Sequence, residues 1–418
     1  MSRAYYFRKT VLLSLFFYMT FFRAIIAFGL RGVNCNSVWL TPILPCQWGN
    51  VTFELSLWGV VLLLLALELF WDQDFRGFFS ACKAYYPIFV FILFAALSLL
   101  WSVLPKITLY KVFVLFATTL MAIYLGYKMS SVRLLRVLVV SLSVICIANL
   151  AAVLLFPQAS KWAGATIWNG IFWHKIYLGA IMTLTIVVFL LQLLNWMKLD
   201  LLSKIISPIM LLVALILLIN AHSVAAFFTT ALLAIICLLI AVWIRWGKHF
   251  KLVHYYIISG VAILANGLIL ANLDVLFGLF GRNTSLSGRI PMWTYLFQHV
   301  IIKRPILGYG YDAIWNLQGL RNQMTLDMNF SLQVTQSDNG FMEIWLHLGS
   351  VGLALLVGLL MIGLVRSVRY LLQERTLPSA LPLVILVYAV LANISVSMLL
   401  ESDCFVWALA IASQVAIT

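Results

Sequence analysis

Charge is scarce in this chain of 418 residues: Asp, Glu, Lys and Arg together make up 10%, and the acidic residues number only 13. Soluble domains carry about 25% charged residues, so an ordinary soluble protein is excluded. Ionisable groups inside the long apolar runs are scarcer still. Arg23 and Lys111 are the basic ones, with Glu54 and Glu68 near the ends of their runs. Lys111 is placed to snorkel, and Arg23 to bond backbone carbonyls or Glu54. This sparseness disfavours an ion-coupled transporter, which needs polar groups along a path through the membrane. Cysteine is also limited, at six. Cys82, Cys146, Cys237 and Cys404 fall in or beside apolar runs and read as packing residues.

What is abundant is apolar: 64% of the residues are hydrophobic, and the mean hydropathy is +1.07. Runs long enough to cross a bilayer, about 20 residues each, recur throughout. They predict an all-α polytopic membrane protein of ten to twelve spans, near 10–30, 51–70, 85–102, 109–128, 134–156, 176–195, 205–221, 223–243, 252–272, 341–365, 379–400 and 404–418. A tight hairpin at His222 separates two of them. The first run follows Arg3, Arg8 and Lys9 but is long for a signal sequence and has no small-residue cleavage site, so it is expected to be a retained anchor. The organisation expected is about nine spans in 1–272, a long outward loop in 273–340, and about three spans in 341–418.

Lys and Arg are retained on the cytoplasmic side of short loops. With the N-terminus inside, the inner segments hold Arg3, Arg8, Lys9, Arg76, Lys83, Lys128, Arg133, Arg136, Lys198, Lys204, Arg245, Lys248, Lys251, Arg366, Arg369 and Arg375. The outer short loops hold Arg31, Lys106, Lys161 and Lys175. Both termini are therefore expected to be cytoplasmic. Five more basic residues, Arg282, Arg289, Lys303, Arg304 and Arg321, gather in the one long outer loop, together with Asp274, Asp312, Asp327 and Asp338. Positive charge translocated against the retention rule suggests a use for it. Paired arginines such as Arg282 and Arg289 suit a diphosphate, because guanidinium groups give bidentate, permanently charged hydrogen bonds. Contact with lipid headgroups or local carboxylates is the competing reading. Within the loop, the run through Trp293, Leu296, Phe297 and Val300 predicts a helix that Pro305 and Gly308 end, lying at the membrane surface.

The outward segment 157–175 adds Trp162, Trp168, Trp173, His174 and Lys175. Its tryptophans fit an interfacial belt or sugar stacking, and His174 with Lys175 supplies a titratable group and a cation. Asp338-Asn339-Gly340 precedes an apolar run with Glu343 in its first turn, the pattern of a helix N-cap.

Several of these stretches resemble the bacterial O-antigen ligases and the related polymerases of O-antigen and exopolysaccharide. They are Gly281-Arg282-Asn283-Thr284-Ser285-Leu286-Ser287-Gly288-Arg289 with Trp293, Pro305-Ile306-Leu307-Gly308-Tyr309-Gly310-Tyr311, Ser337-Asp338-Asn339-Gly340-Phe341-Met342-Glu343, and Leu348-Gly349-Ser350-Val351-Gly352-Leu353. Gly170-Ile171-Phe172-Trp173-His174-Lys175 is similar to an element of the exopolysaccharide polymerase branch, and Asn393 with Glu401-Ser402 to a late family element. The resemblance covers roughly 160–405. This chain departs from the family in three places: Asp338 stands where His is usual, Ser223 is followed by Val224 rather than Arg or Lys, and Asn283 replaces a common Asp.

The resemblance implies a GT-C-like membrane glycosyltransferase of the bacterial inner membrane, with its active site on the periplasmic face. Its donor would be a glycan on undecaprenyl diphosphate. The acceptor would be another lipid-linked repeat for a polymerase, the favoured reading, or lipid A core for a ligase; a lipid-linked glycan transporter is the reading outside the enzyme class. Arg289, Asp338 and His174 are the expected catalytic residues, with Asp338 or His174 as base. Arg282, Lys175, Trp293, Asn339 and Arg321 are expected to bind diphosphate and glycan. Besides donor, acceptor and membrane lipids, a chain-length regulator is a candidate partner; nucleic acid is not. A single in-line displacement predicts inversion at the anomeric carbon. No cofactor is expected. Asp72-x-Asp74 has the spacing of a nucleotide-sugar metal motif but lies in a short cytoplasmic loop.

Cys35 and Cys46 share the first outward loop, where an oxidising compartment permits a disulfide. Thiol labelling of unreduced, denatured protein is expected to leave both unmodified; labelling of the pair excludes the bridge.

Overall fold

The computed structural model describes residues 46–161, 166–172, 174–247, 289–328, 334–399 and 405–417. Thirteen α-helices of seven or more residues build the described part of the fold. They are α1 (Cys46–Asp72), α2 (Phe75–Ala84), α3 (Tyr86–Leu97), α4 (Pro105–Lys128), α5 (Ser131–Leu155), α6 (Lys175–Leu194), α7 (Leu201–Asn220), α8 (Val224–Trp246), α9 (Arg289–Tyr295), α10 (Gln318–Asp327), α11 (Gly340–Glu374), α12 (Leu381–Ser395) and α13 (Phe405–Val415). Among the described residues there is no β-strand, only an isolated bridge between Lys161 and Trp168.

Among the described residues, seven helical stretches are long and apolar enough to cross a membrane, or eight if the bent pair α2 and α3, which meet at 77°, forms one span. The twelve expected spans are thus not all recovered. Two, 10–30 and 252–272, lie outside the described residues, as does Cys35. Three others are found in altered form: 51–70 within α1, 85–102 as the outer arm of the bent pair, and 404–418 as the short α13. The hairpin at His222 is present. Asn220 ends α7, Ser223 caps α8, and His222 between them takes φ +48°.

The helices pack by how much of each is apolar. In α6, 78% of the apolar window is buried, against 22% in α7, so α6 is central. It lies against α7 and α8, while α13 packs on α4 and α11 on α12. The outer face of α7 exposes Leu202, Ile205, Ile209, Leu212 and Ile216. An apolar stripe of that length belongs in lipid, not water. Cys146 and Cys237 are fully buried free thiols, as packing residues should be. Asp74 accepts hydrogen bonds from Tyr127 and pairs with Lys128 at 2.5 Å, which gives this member of the Asp72-x-Asp74 pair a structural partner. Lys111 does not simply snorkel: its Nζ is 2.9 Å from Asp312 of the long loop.

The expected single span over 341–365 is two helical pieces joined at Gly349, whose φ of +68° and ψ of −169° are not helical. In an unbroken helix the amides of Ser350 and Val351 would bond to the carbonyls of Leu346 and His347. Here Ser350 and Val351 donate to Pro305 and Ile306, while Tyr309 and Gly310 donate to Leu346 and His347. The loop segment 305–310 therefore replaces the bonds the break removes. Gly308, at φ +65°, lies against the backbone of His347 and Gly349. Val103 donates to Tyr309, Ser98 accepts from the Tyr311 amide, and Thr108 donates to the Tyr311 carbonyl, tying the same segment to the α3–α4 corner. Around it the loop builds its own small core from Met292, Leu296, Val300, Ile314, Trp315, Met324 and Leu346. The expected helix after Gly288 is found as α9, running through one π turn and one 3-10 turn to Lys303, just before Pro305.

A Cβ at Gly308 would come within 2.6 Å of the His347 carbonyl, on a backbone already left-handed. Gly308→Ala is expected to destabilise the protein by at least about 2 kcal/mol, through strain and a displaced segment. Thermal unfolding in detergent measures this, and an unchanged midpoint refutes the docking described.

Candidate functional site

The segment 336–339 carries the site, and α9 fixes it from above. Arg289 and Trp293 are four residues apart, so they share one face of α9. Arg289 Nε stands 3.4 Å from Asp338 Oδ2, and Trp293 Nε1 donates to the Ser337 carbonyl at 2.8 Å. From below, Glu343 Oε1 accepts from the Ser337 amide, and the Ser337 hydroxyl donates to the Asn339 carbonyl. Asn339 is the N-cap of α11, its Oδ1 accepting from the Phe341 and Met342 amides. Asp338 is thereby one residue outside the cap, at φ +54°, a conformation Asp tolerates better than most residues. Its Oδ1 accepts from Gln336 Nε2 at 2.8 Å, and its side chain remains about a quarter exposed.

His174 and Lys175 reach the same neighbourhood from the N-terminus of α6. Asn149, buried in α5, accepts from the Ile171 amide, and the Ser160 carbonyl accepts from the Asn169 and Gly170 amides. That anchorage, with Gly170 at φ +58°, delivers the chain to His174, the N-cap of α6. His174 Nδ1 accepts from the Ile176 amide at 3.3 Å. Burial lowers the pKa of His174 below its ordinary 6.5; Asp338 opposes this, and Lys175 and Arg289 add to it. All three charged residues therefore act on one imidazole. With Nδ1 accepting, the neutral ring carries its proton on Nε2 and presents a donor.

The expected residues thus fall into three groups. Asp338, Lys175 and Arg289 are each within electrostatic reach of His174, and Arg289 pairs with Asp338. Trp293 and Asn339 fix the backbone around Asp338. Arg321, on α10, is 2% exposed and donates from Nε to the Val334 carbonyl, bracing the run into Gln336. Arg282, Trp162 and Trp173 lie outside the described residues.

Sequence reading missed a buried polar cluster beneath the segment. Trp315 Nε1 and the Ser397 hydroxyl donate to Glu343, and His347 Nε2 lies 3.4 Å from Glu343 Oε2. Asn393, whose Oδ1 accepts from the Met398 and Leu399 amides, brings Ser397 there. The spacing of Glu343 and His347, one helical turn apart, was the available signal.

A many-helix membrane bundle capped by a folded loop, with a cationic site at their junction, defines the class. Residues 209–357 match the family model for O-antigen ligase. The chain is also 28% identical over 130 residues to the exopolysaccharide production protein ExoQ of Rhizobium meliloti (strain 1021), covering 30% of this chain and 29% of that protein. The resemblance to the O-antigen ligase and polymerase family is thereby shown. The family match contains α9, Asp338 and Glu343 but not His174 or Lys175.

Removing Arg289 takes away a cation that depresses the His174 pKa, and removing Asp338 takes away the anion that supports it. Histidine NMR titration is expected to place His174 below 6.5, to raise it in Arg289→Gln and to lower it further in Asp338→Asn. Shifts of the opposite sign would dissolve the proposed cluster.

Proposed function

We propose that this protein is a periplasmic-face glycosyltransferase of the inner membrane that polymerises oligosaccharide repeats carried on undecaprenyl diphosphate. The observation that carries the reading is the convergence of Asp338, Lys175 and Arg289 on His174, with Arg289 paired to Asp338, at the junction of cap and bundle. The resemblance supplies the donor class; the charge distribution supports it, because a departing diphosphate needs preorganised cations in a partly dry site.

In the reaction, the acceptor hydroxyl oxygen bonds to the anomeric carbon as the carbon–oxygen bond to the diphosphate breaks, and the hydroxyl proton passes to Asp338. Arg289 and Lys175 stabilise the leaving diphosphate, with Arg282 as a further candidate. His174 serves as a hydrogen-bond donor to the site, since its Nδ1 is engaged as an acceptor. Asp338, held by Gln336 on one oxygen and facing Arg289 with the other, is the base. One in-line attack inverts the anomeric centre. The membrane topology of this reading has twelve spans and both termini inside.

Transfer to lipid A core is the second reading, favoured by the description of the matching family as O-antigen ligase. A deletion strain separates them: single repeats on core indicate a lost polymerase, and long unattached chains a lost ligase.

With purified protein and a lipid-linked repeat, Arg289→Ala is expected to reduce transfer by about 10²–10³-fold while the protein stays folded. Asp338→Ala should be comparably impaired, and the product linkage should be inverted. Full activity in both variants discards the site, and a retained anomeric configuration discards the single displacement.

A further inference from the structure

A cavity of about 100 Å³ opens beside the proposed reaction centre, lined by Asp312, Trp315, Gln336, Glu343, His347 and Ser397 among others. We propose that it receives a hydroxyl-bearing ring of the acceptor saccharide. This inference rests on the glycosyltransferase reading and deepens it.

The first argument is charge. Lys175 at the N-terminus of α6 and Arg289 of α9 both act on His174, as does Asp338, whereas the cavity has the carboxyl groups of Glu343 and Asp312 in its wall. Lys111 pairs with Asp312, and Glu343 keeps its carboxylate for neutral donors and His347. A diphosphate is poorly matched to such a wall, where Lys111 is already paired with Asp312. Sugar hydroxyls match it, because each can donate to a carboxylate and accept from an amide or indole.

The second argument is an unmet partner. His347 is 6% exposed, yet neither ring nitrogen makes a directed hydrogen bond among the described residues. Its Nε2 has Glu343 at 3.4 Å, beyond a well-formed bond. Buried polar groups are normally satisfied, and a ligand hydroxyl in this cavity supplies what His347 lacks.

The third argument is connection. Gln336 lines the cavity and donates from Nε2 to Asp338 Oδ1. The acceptor ring therefore sits on the Gln336 side of Asp338, and the diphosphate on the Arg289 side. A cavity of this size holds a few waters or the part of one ring that displaces them, which selects a terminal sugar over an internal stretch of chain.

Thr335 lines the cavity and is exposed, so it can be enlarged without disturbing the hydrogen-bonded cluster. The test uses full-length protein in lipid nanodiscs and two probes: undecaprenyl diphosphate, and labelled oligosaccharide released by mild acid from the lipid-linked repeat. Thr335→Trp is expected to weaken oligosaccharide binding at least tenfold and leave undecaprenyl diphosphate binding within twofold; Thr335→Ser binds both like wild type. If Thr335→Trp fails to fold, Thr335→Cys blocked after folding with a bulky maleimide gives the same obstruction, with treated wild type as control. Oligosaccharide binding that is absent from wild type, unchanged by the obstruction, or lost together with diphosphate binding overturns the proposal. Wild type that binds the oligosaccharide, loses it on obstruction and never binds undecaprenyl diphosphate upholds the cavity and sinks the donor reading instead.

Discussion

The break in α11 at Gly349 governs the architecture of the site. An amide or carbonyl left unpaired at membrane depth costs several kcal/mol, so a broken helix there must find substitutes in protein. The segment 305–310 provides two acceptors and two donors for the four groups released. The requirement runs both ways: the segment's own backbone is satisfied only by a helix that is open at that place. Gly308 and Gly349 permit the approach because a Cβ at either would meet the opposing main chain. The long loop is thereby joined to the bundle as a folded cap, with Leu346 of α11 in the cap's core.

That joint sets the position of every residue in the candidate site. The first piece of α11 carries Glu343 and His347 on one side, and its N-cap Asn339 fixes where Asp338 stands. Because α9 belongs to the cap and α6 to the bundle, Arg289 and His174 meet Asp338 only when the cap is seated. Side chains from three elements contact segment 336–339: Arg289 and Trp293 from α9, Tyr177 from α6 and Glu343 from α11. A change at the break would therefore be felt at Asp338 without touching it.

Much of this was legible in the sequence, for identifiable reasons. The helices from α4 to α8 follow runs of apolar residues, and composition alone bounds them to within a few residues. The cap helix α9 was readable because its apolar run begins after Gly288 and stops before Pro305. The N-cap at Asn339 followed from Asp338-Asn339-Gly340 ahead of an apolar run. What was not readable was tertiary pairing across long separations. Gly349 inside an apolar stretch looks like an ordinary helical glycine until residues 305–310 are seen against it. Lys111 reads as a snorkelling residue until Asp312, some 200 positions on, is found beside it. Arg321 reads as a phosphate ligand because arginine in an outer loop often is one; its burial against Val334 depends on the cap having a core of its own.

The substitution of Asp338 for the family's usual His has a consequence for how the site works under the proposed function. A histidine at 338 beside Arg289, Lys175 and His174 would add a neutral or positive group to an already cationic cluster. The aspartate instead supplies an anion that Arg289 and His174 share, which holds Arg289 toward the segment when no diphosphate is present. When a diphosphate arrives, it competes with Asp338 for the Arg289 guanidinium. The 3.4 Å separation, longer than a tight ion pair, makes that exchange inexpensive. As Arg289 turns toward the diphosphate, Gln336 keeps Asp338 oriented toward the acceptor. Donor binding would thus free the Asp338 oxygen that takes the acceptor's proton. The order this imposes, donor before proton transfer, follows from a carboxylate in that position and not from an imidazole.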